Sequence, residues 1–185
     1  MRKLLALLPL ACLVGLPGSA SACQYPVPPT LESALKQATS VFIFQLVRAD
    51  YHRTELGSGA YMAEVEGRIS PLQELLGDSR GYKKIVFETS WCGGVTLVVG
   101  RHYLIATNSK TDTIKLVPQD GSILDIELIY GRRYSDQELQ TGALAPIVAF
   151  LREGKQLPPD FPPAWMLEHT ITLPPPPPEP LPRKR

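Results

Sequence analysis

Val41-Phe42-Ile43-Phe44-Gln45-Leu46-Val47 is a run of β-branched and aromatic side chains with one polar interruption. At seven residues it is too short for a buried helix and suits a strand covered on both faces. Just upstream, Thr30 can cap a short helix from Leu31 to about Thr39, with Leu31, Ala34, Leu35 and Ala38 on one side. Downstream, Ala63, Val65, Gly67 and Ile69 alternate with Glu64, Glu66 and Arg68, the period-two pattern of a half-buried strand. Glu55-Leu56-Gly57-Ser58-Gly59 between the two reads as a turn.

Further strands are expected at about Lys83–Thr89 and at Tyr103–Thr107, with weaker ones at Thr113–Val117 and Ile123–Ile129. Pro71 followed by Leu72–Leu76 reads as one helical turn. Val95–Val99 is a short apolar run, and Gln119–Ser122 a turn. Ser135-Asp136-Gln137-Glu138 is a capping-box start. It opens a helical pattern to about Arg152, which Pro146 either kinks or restarts. Five or six closely spaced strands closed by a helix predict a mainly β protein, specifically an OB-fold Greek-key barrel with flanking helices. Its expected core is Val41, Ile43, Val65, Ile69, Val86, Tyr103 and Ile105.

The termini read differently. Arg2 and Lys3 precede an apolar stretch, Leu4–Leu16, and Ala20-Ser21-Ala22 is a small-residue cleavage pattern, so residues 1–22 are expected to be a signal peptide. Cleavage there leaves 163 residues beginning at Cys23, one domain expected over residues 23–157. With 17 basic and 18 acidic residues, that chain has no electrostatic case for nucleic acid. After the leader, no apolar stretch is long enough to span a membrane. Export to the periplasm or beyond is expected. Residues 158–185 hold Pro158-Pro159, Pro162-Pro163 and Pro174–Pro178 and read as an extended polyproline II tail.

Cys12 leaves with the leader, so Cys23 and Cys92 are the two cysteines of an exported chain, for which a disulfide is the default expectation. Closing that 70-residue loop would contribute about 4 kcal/mol on the chain-entropy estimate. The competing expectation is a lipoprotein with Cys23 as its membrane or outer-surface lipid anchor and Cys92 unpaired. The small residues before Cys23 suit it, but Ala20 stands where a lipobox carries leucine.

These residues together resemble the netrin-like domain, in particular the N-terminal domain of tissue inhibitors of metalloproteinases. The resemblance rests on the mature N-terminal Cys23, the helix leading into Ala38–Phe44, the Cys92-Gly93 turn and the segment Val99-Gly100-Arg101-His102-Tyr103-Leu104-Ile105-Ala106. It covers residues 23 to about 152. It implies the Cys23–Cys92 pairing and a disulfide-pinned N-terminus. It also implies that the Cys23 α-amine and carbonyl oxygen chelate the zinc of a target metalloprotease, with Gln24 entering the specificity pocket. Glu88, Thr89, Ser90, Trp91 and Cys92 would line the ridge beside it. The chain departs from the family in having Tyr25 where a second cysteine belongs, Gln24 where a short residue belongs, and no disulfide-rich second subdomain.

Enzyme chemistry finds no support in the sequence. His52, His102 and His169 have no partner at metal spacing and read as surface or strand-end residues, and neither HExxH nor GxSxG occurs. No cofactor and no intrinsic metal are expected. The partner expected is another protein, with a zinc metalloprotease as the specific candidate; the alternative is a cell-envelope structural protein without inhibitory activity.

Overall fold

The computed structural model describes residues 27–57, 60–89, 94–127 and 142–163; the side chains of Leu56 and Ala60 are left aside. The chain opens on helix α1 (Leu31–Gln37). Its first turn is capped as the sequence predicts, with the Ser33 N–H donating to the Thr30 hydroxyl oxygen at 3.2 Å. Six strands follow: β1 (Ser40–Gly57), β2 (Ala60–Leu76), β3 (Lys84–Glu88), β4 (His102–Thr107), β5 (Thr113–Lys115) and β6 (Ile123–Asp125). Helix α2 (Ala145–Glu153) comes last. Pro146 lies in its first turn, where a missing N–H costs nothing, so the proline starts this helix. The capping-box residues Ser135–Glu138 lie outside the described residues.

One mixed sheet holds all six strands in the order β5-β3-β2-β1-β4-β6. β1, β2 and β3 form an antiparallel meander, β4 pairs antiparallel with β1, and β5 pairs parallel with β3. β1 and β2 are far longer than their neighbours. β4 covers β1 only over Ser40–Gln45, and β3 covers β2 only over Glu64–Arg68, so the rest of the β1–β2 hairpin extends as a two-stranded arm.

Alternation of side chains builds a core on each face of the sheet. On the inner face, Phe42, Phe44 and Leu46 meet Val65, Ile69, Ile85, Phe87, Tyr103 and Ile105. On the outer face, Val41, Ile43, Leu104 and Leu124 pack under Leu31 and Leu35 of α1 and Ile147 of α2. Burial on both sides is what the continuous apolar stretch 41–44 requires.

The expected closed barrel is corrected: among the described residues the sheet is open, with β5 and β6 as its outermost strands. It nevertheless curls, because Ile114 and Leu116 from the β5 side and Ile105 and Ile123 from the β4–β6 side share one inner core. The two edge strands are joined by residues 116–122 and both run parallel to β1. The turn between them is fixed by a buried carboxylate. Asp120, 4% exposed, accepts the Val117 N–H through Oδ2 at 3.1 Å and the Ser122 N–H through Oδ1 at 2.8 Å. Gln119 takes a left-handed φ of 58°. These bonds hold the chain in a bend, leaving the first half of the run on β3 and the second on β4.

Three further expectations change. Pro71–Leu76 is the end of β2, not a helical turn. Its far edge is open there because β3 has already left β2, so the proline forfeits no ladder bond to β3. Val86 is half-buried and turned outward, whereas Ile85 and Phe87 face the core. Val41 and Ile43 are buried, but in the outer core beneath the helices. Phe161, within the proline-rich stretch, and Leu157 just before it pack against that outer core.

Candidate functional site

Of the expected binding edge, Glu88 and Thr89 are described; Cys23, Gln24, Ser90, Trp91 and Cys92 lie outside the described residues. Glu88 ends β3 opposite Glu64 of β2, and the Thr89 N–H donates to the Ala63 carbonyl oxygen at 3.0 Å. The chain leaves this point and returns at Gly94, where the Val95 N–H donates to the Glu88 carbonyl oxygen at 3.0 Å. A Cβ on Gly94 would fall 2.6 Å from that same oxygen and 2.8 Å from the Thr89 Cα, so the closure demands glycine. Val95 and Leu97 then sink into the inner core. The ends that flank residues 90–93, themselves outside the described residues, are thus tied down by two backbone hydrogen bonds and a close-packed glycine.

The N-terminal arm meets the fold at the turn before β6. Val27 is almost fully exposed, but the Pro29 carbonyl oxygen accepts the Gly121 N–H at 3.0 Å. A Cβ on Gly121 would lie 2.5 Å from that oxygen. The sequence marked Gln119–Ser122 only as a turn; its role as the arm's anchor was not legible, because nothing local to either segment signals the other.

A second polar constellation was also missed. His102, the first residue of β4, is largely covered, and its Nδ1 lies 2.8 Å from the Glu127 Oε2. The same oxygen accepts the His102 backbone N–H at 2.9 Å. Next to it, Arg101 pairs with the buried Asp125 at 2.9 Å, and Asp125 Oδ1 accepts the Glu127 N–H. Asp125 and Glu127 thus clamp the start of β4 through a D-x-E spacing, a weak signal in sequence alone. Burial pushes Glu127 up, but hydrogen bonds from the His102 imidazole and backbone outweigh it and hold its carboxyl below the usual range. The Tyr103 hydroxyl accepts the Val98 N–H at 2.7 Å, and burial pushes the phenol up to about 12. Asp125, Glu127 and Tyr103 each accept a backbone N–H, so this cluster fixes the backbone around the start of β4.

His102 fits its reading as a strand-end residue. His52 lies on the exposed arm, paired in register with Glu64, and His169 is outside the described residues. Among the described residues, no three His, Cys, Asp or Glu side chains are arranged to hold a metal. Two clefts of about 270 Å³ each indent the surface. One lies between α1, β4 and β5, with Gln37, Asn108 and Lys115 on its rim. The other, on the outer sheet face, is bordered by Arg48, Asp50, Glu66, Arg68 and Lys84. Its charges largely neutralise one another, with Arg48–Asp50 at 2.8 Å and Lys84–Glu66 at 2.7 Å. No described helix is long and apolar enough to cross a membrane.

The chain matches no protein-family model and no curated protein.

Proposed function

We propose that this chain is an exported, non-enzymatic protein-binding module of the netrin-like type, and that it engages its partner through the edge formed by the N-terminal arm and the turn after β3. Its connectivity supports an OB-type Greek-key reading: a three-strand meander, the fourth strand antiparallel on the first and the next parallel on the third. In that reading β5 and β6 are two halves of one closing strand, interrupted by the Asp120 bend.

The observation that carries the binding role is the locked base at Glu88, Gly94 and Val95. A loop presented from a rigid base loses little conformational entropy on binding. A Cys23–Cys92 disulfide would tie the chain's mature terminus to that loop. The α-amine and carbonyl oxygen of Cys23 would then be available to a zinc ion in a metalloprotease, with Gln24, Glu88, Thr89, Ser90 and Trp91 around them. A protein's zinc ion favours the deprotonated amine as ligand, which meets the chemical requirement of chelation.

Mass analysis of the mature protein from its native host tests the premise. The reading requires a chain beginning at Cys23 with a free α-amine and an oxidised Cys23–Cys92 pair. An acylated Cys23 would remove the chelating amine, and two free thiols would remove the staple that holds it; either result favours a cell-envelope lipoprotein or structural protein.

A further inference from the structure

Beyond Leu46 the outer edge of β1 has no neighbour among the described residues. The last contacts on that side are the hydrogen bonds of Leu46 with Gly100 and Arg101. From Val47 to Glu55, nine residues present an open strand edge with partly exposed Val47 and a Tyr51 that is 58% exposed. An edge of this length is a template for another strand.

Its side chains divide cleanly between faces. Ala49, Tyr51 and Arg53 lie opposite Gly67, Val65 and Ala63. Val65 belongs to the inner core, and a Cβ on Gly67 would strike Leu46 and Ile85, so these three point inward. Arg48, Asp50, His52 and Thr54 therefore point outward. We infer that this edge pairs with the same edge of a second copy of the chain, antiparallel about a two-fold axis through Tyr51.

In a continuous antiparallel sheet, directly opposed residues share a face, so the axis must pass through a residue. With the axis at Tyr51, Asp50 of each copy faces His52 of the other, Arg48 faces Thr54, and the two Tyr51 rings meet on the inner face. Moving the axis to Asp50 opposes the two Asp50 carboxylates and sets Arg48 against His52. Moving it to His52 opposes the two imidazoles and leaves Asp50 facing Thr54. Only the Tyr51 register gives two opposite-charge pairs and an aromatic pair, the cross-strand combinations that stabilise sheets.

The pairing is pH-dependent. Within one chain His52 already faces Glu64 of β2, with Asp50 on its own strand, Glu66 diagonal to it and Glu88 one strand further. Those carboxylates act equally on monomer and dimer; what distinguishes them is the second copy's Asp50, which its own Arg48 holds at 2.8 Å. Protonation of His52 thus favours the dimer.

Sedimentation equilibrium of the full mature chain tests this. The expected result is a reversible dimer whose dissociation constant at pH 5.5 is about tenfold lower than at pH 8. His52→Glu should abolish it, and Asp50→Lys combined with His52→Glu should restore it with the pH dependence lost. Circular dichroism checks that each variant folds. A monomer at every pH up to about 1 mM, whether the edge is bare or covered by another segment of the chain, overturns the inference. So does a dimer indifferent to His52→Glu, or one that the double variant does not recover.

Discussion

The Gly121 N–H donates to the carbonyl oxygen of Pro29 at 3.0 Å, across a gap that no side chain could share. This joins the N-terminal arm to the bend between β5 and β6, and it does so independently of any cysteine. Gly121→Ala should force the arm away from Pro29 and destabilise the protein by about 1–3 kcal/mol, as overpacking does. Amide exchange of Leu31 to Ala34 should accelerate more than that of β1. Unchanged exchange and stability would mean the arm is held elsewhere.

Glu127 supplies a pH-dependent element. Its folded carboxyl lies below the usual range, so its contribution is present above the ordinary carboxylate pKa and is lost as pH falls through the folded value. Glu127→Gln should therefore be less stable than the parent near pH 7, and the two denaturation curves should converge as pH falls below the usual carboxylate range. A constant difference down to pH 2.5 would assign the loss to packing.

Phe161 and the distal prolines should behave oppositely. Phe161 packs against the outer core with Leu157, so Phe161→Ala should cost about 1–2 kcal/mol for a partly buried ring. Deleting Pro174–Arg185 should change stability by no more than about 0.5 kcal/mol, as for surface changes. Thermal or urea unfolding separates the two; a large loss on deletion would make the distal tail part of the fold.

What could be read from the sequence follows from where local patterns are unambiguous. The alternation through Ala63, Val65, Gly67 and Ile69 assigns faces correctly, because a polar residue separates each apolar one. Ile85-Val86-Phe87 has no such separation, so its facing depends on the register with β2. Pairing of Phe87 with Val65 and of Ile85 with Gly67 decides it, leaving Val86 outside. Phe87→Ala should accordingly cost about 3–5 kcal/mol and Val86→Ala less than about 1 kcal/mol; equal losses in urea unfolding would contradict the register. Pro71 misled for a related reason. A proline usually ends a strand, but only the partner strand's early departure shows that it is tolerated here. At the candidate site the strand pattern made only the end of β3 legible. Glu88 and Thr89 lie together as expected at the end of β3, whereas the Gly94 closure, the Gly121 anchor and the Asp125–Glu127 clamp depend on contacts between segments distant in the chain.

The most direct test of the proposed role is inhibition of zinc endopeptidases from the protein's own environment by the mature chain and by a form carrying one extra alanine ahead of Cys23. The extension moves the α-amine by about 3.8 Å while leaving Cys23, Cys92 and the sheet intact. The account predicts inhibition by the mature chain and its loss on extension, with unfolding curves unchanged. Equal inhibition by both forms would contradict chelation through Cys23, and no inhibition by the mature chain would contradict the metalloprotease as partner.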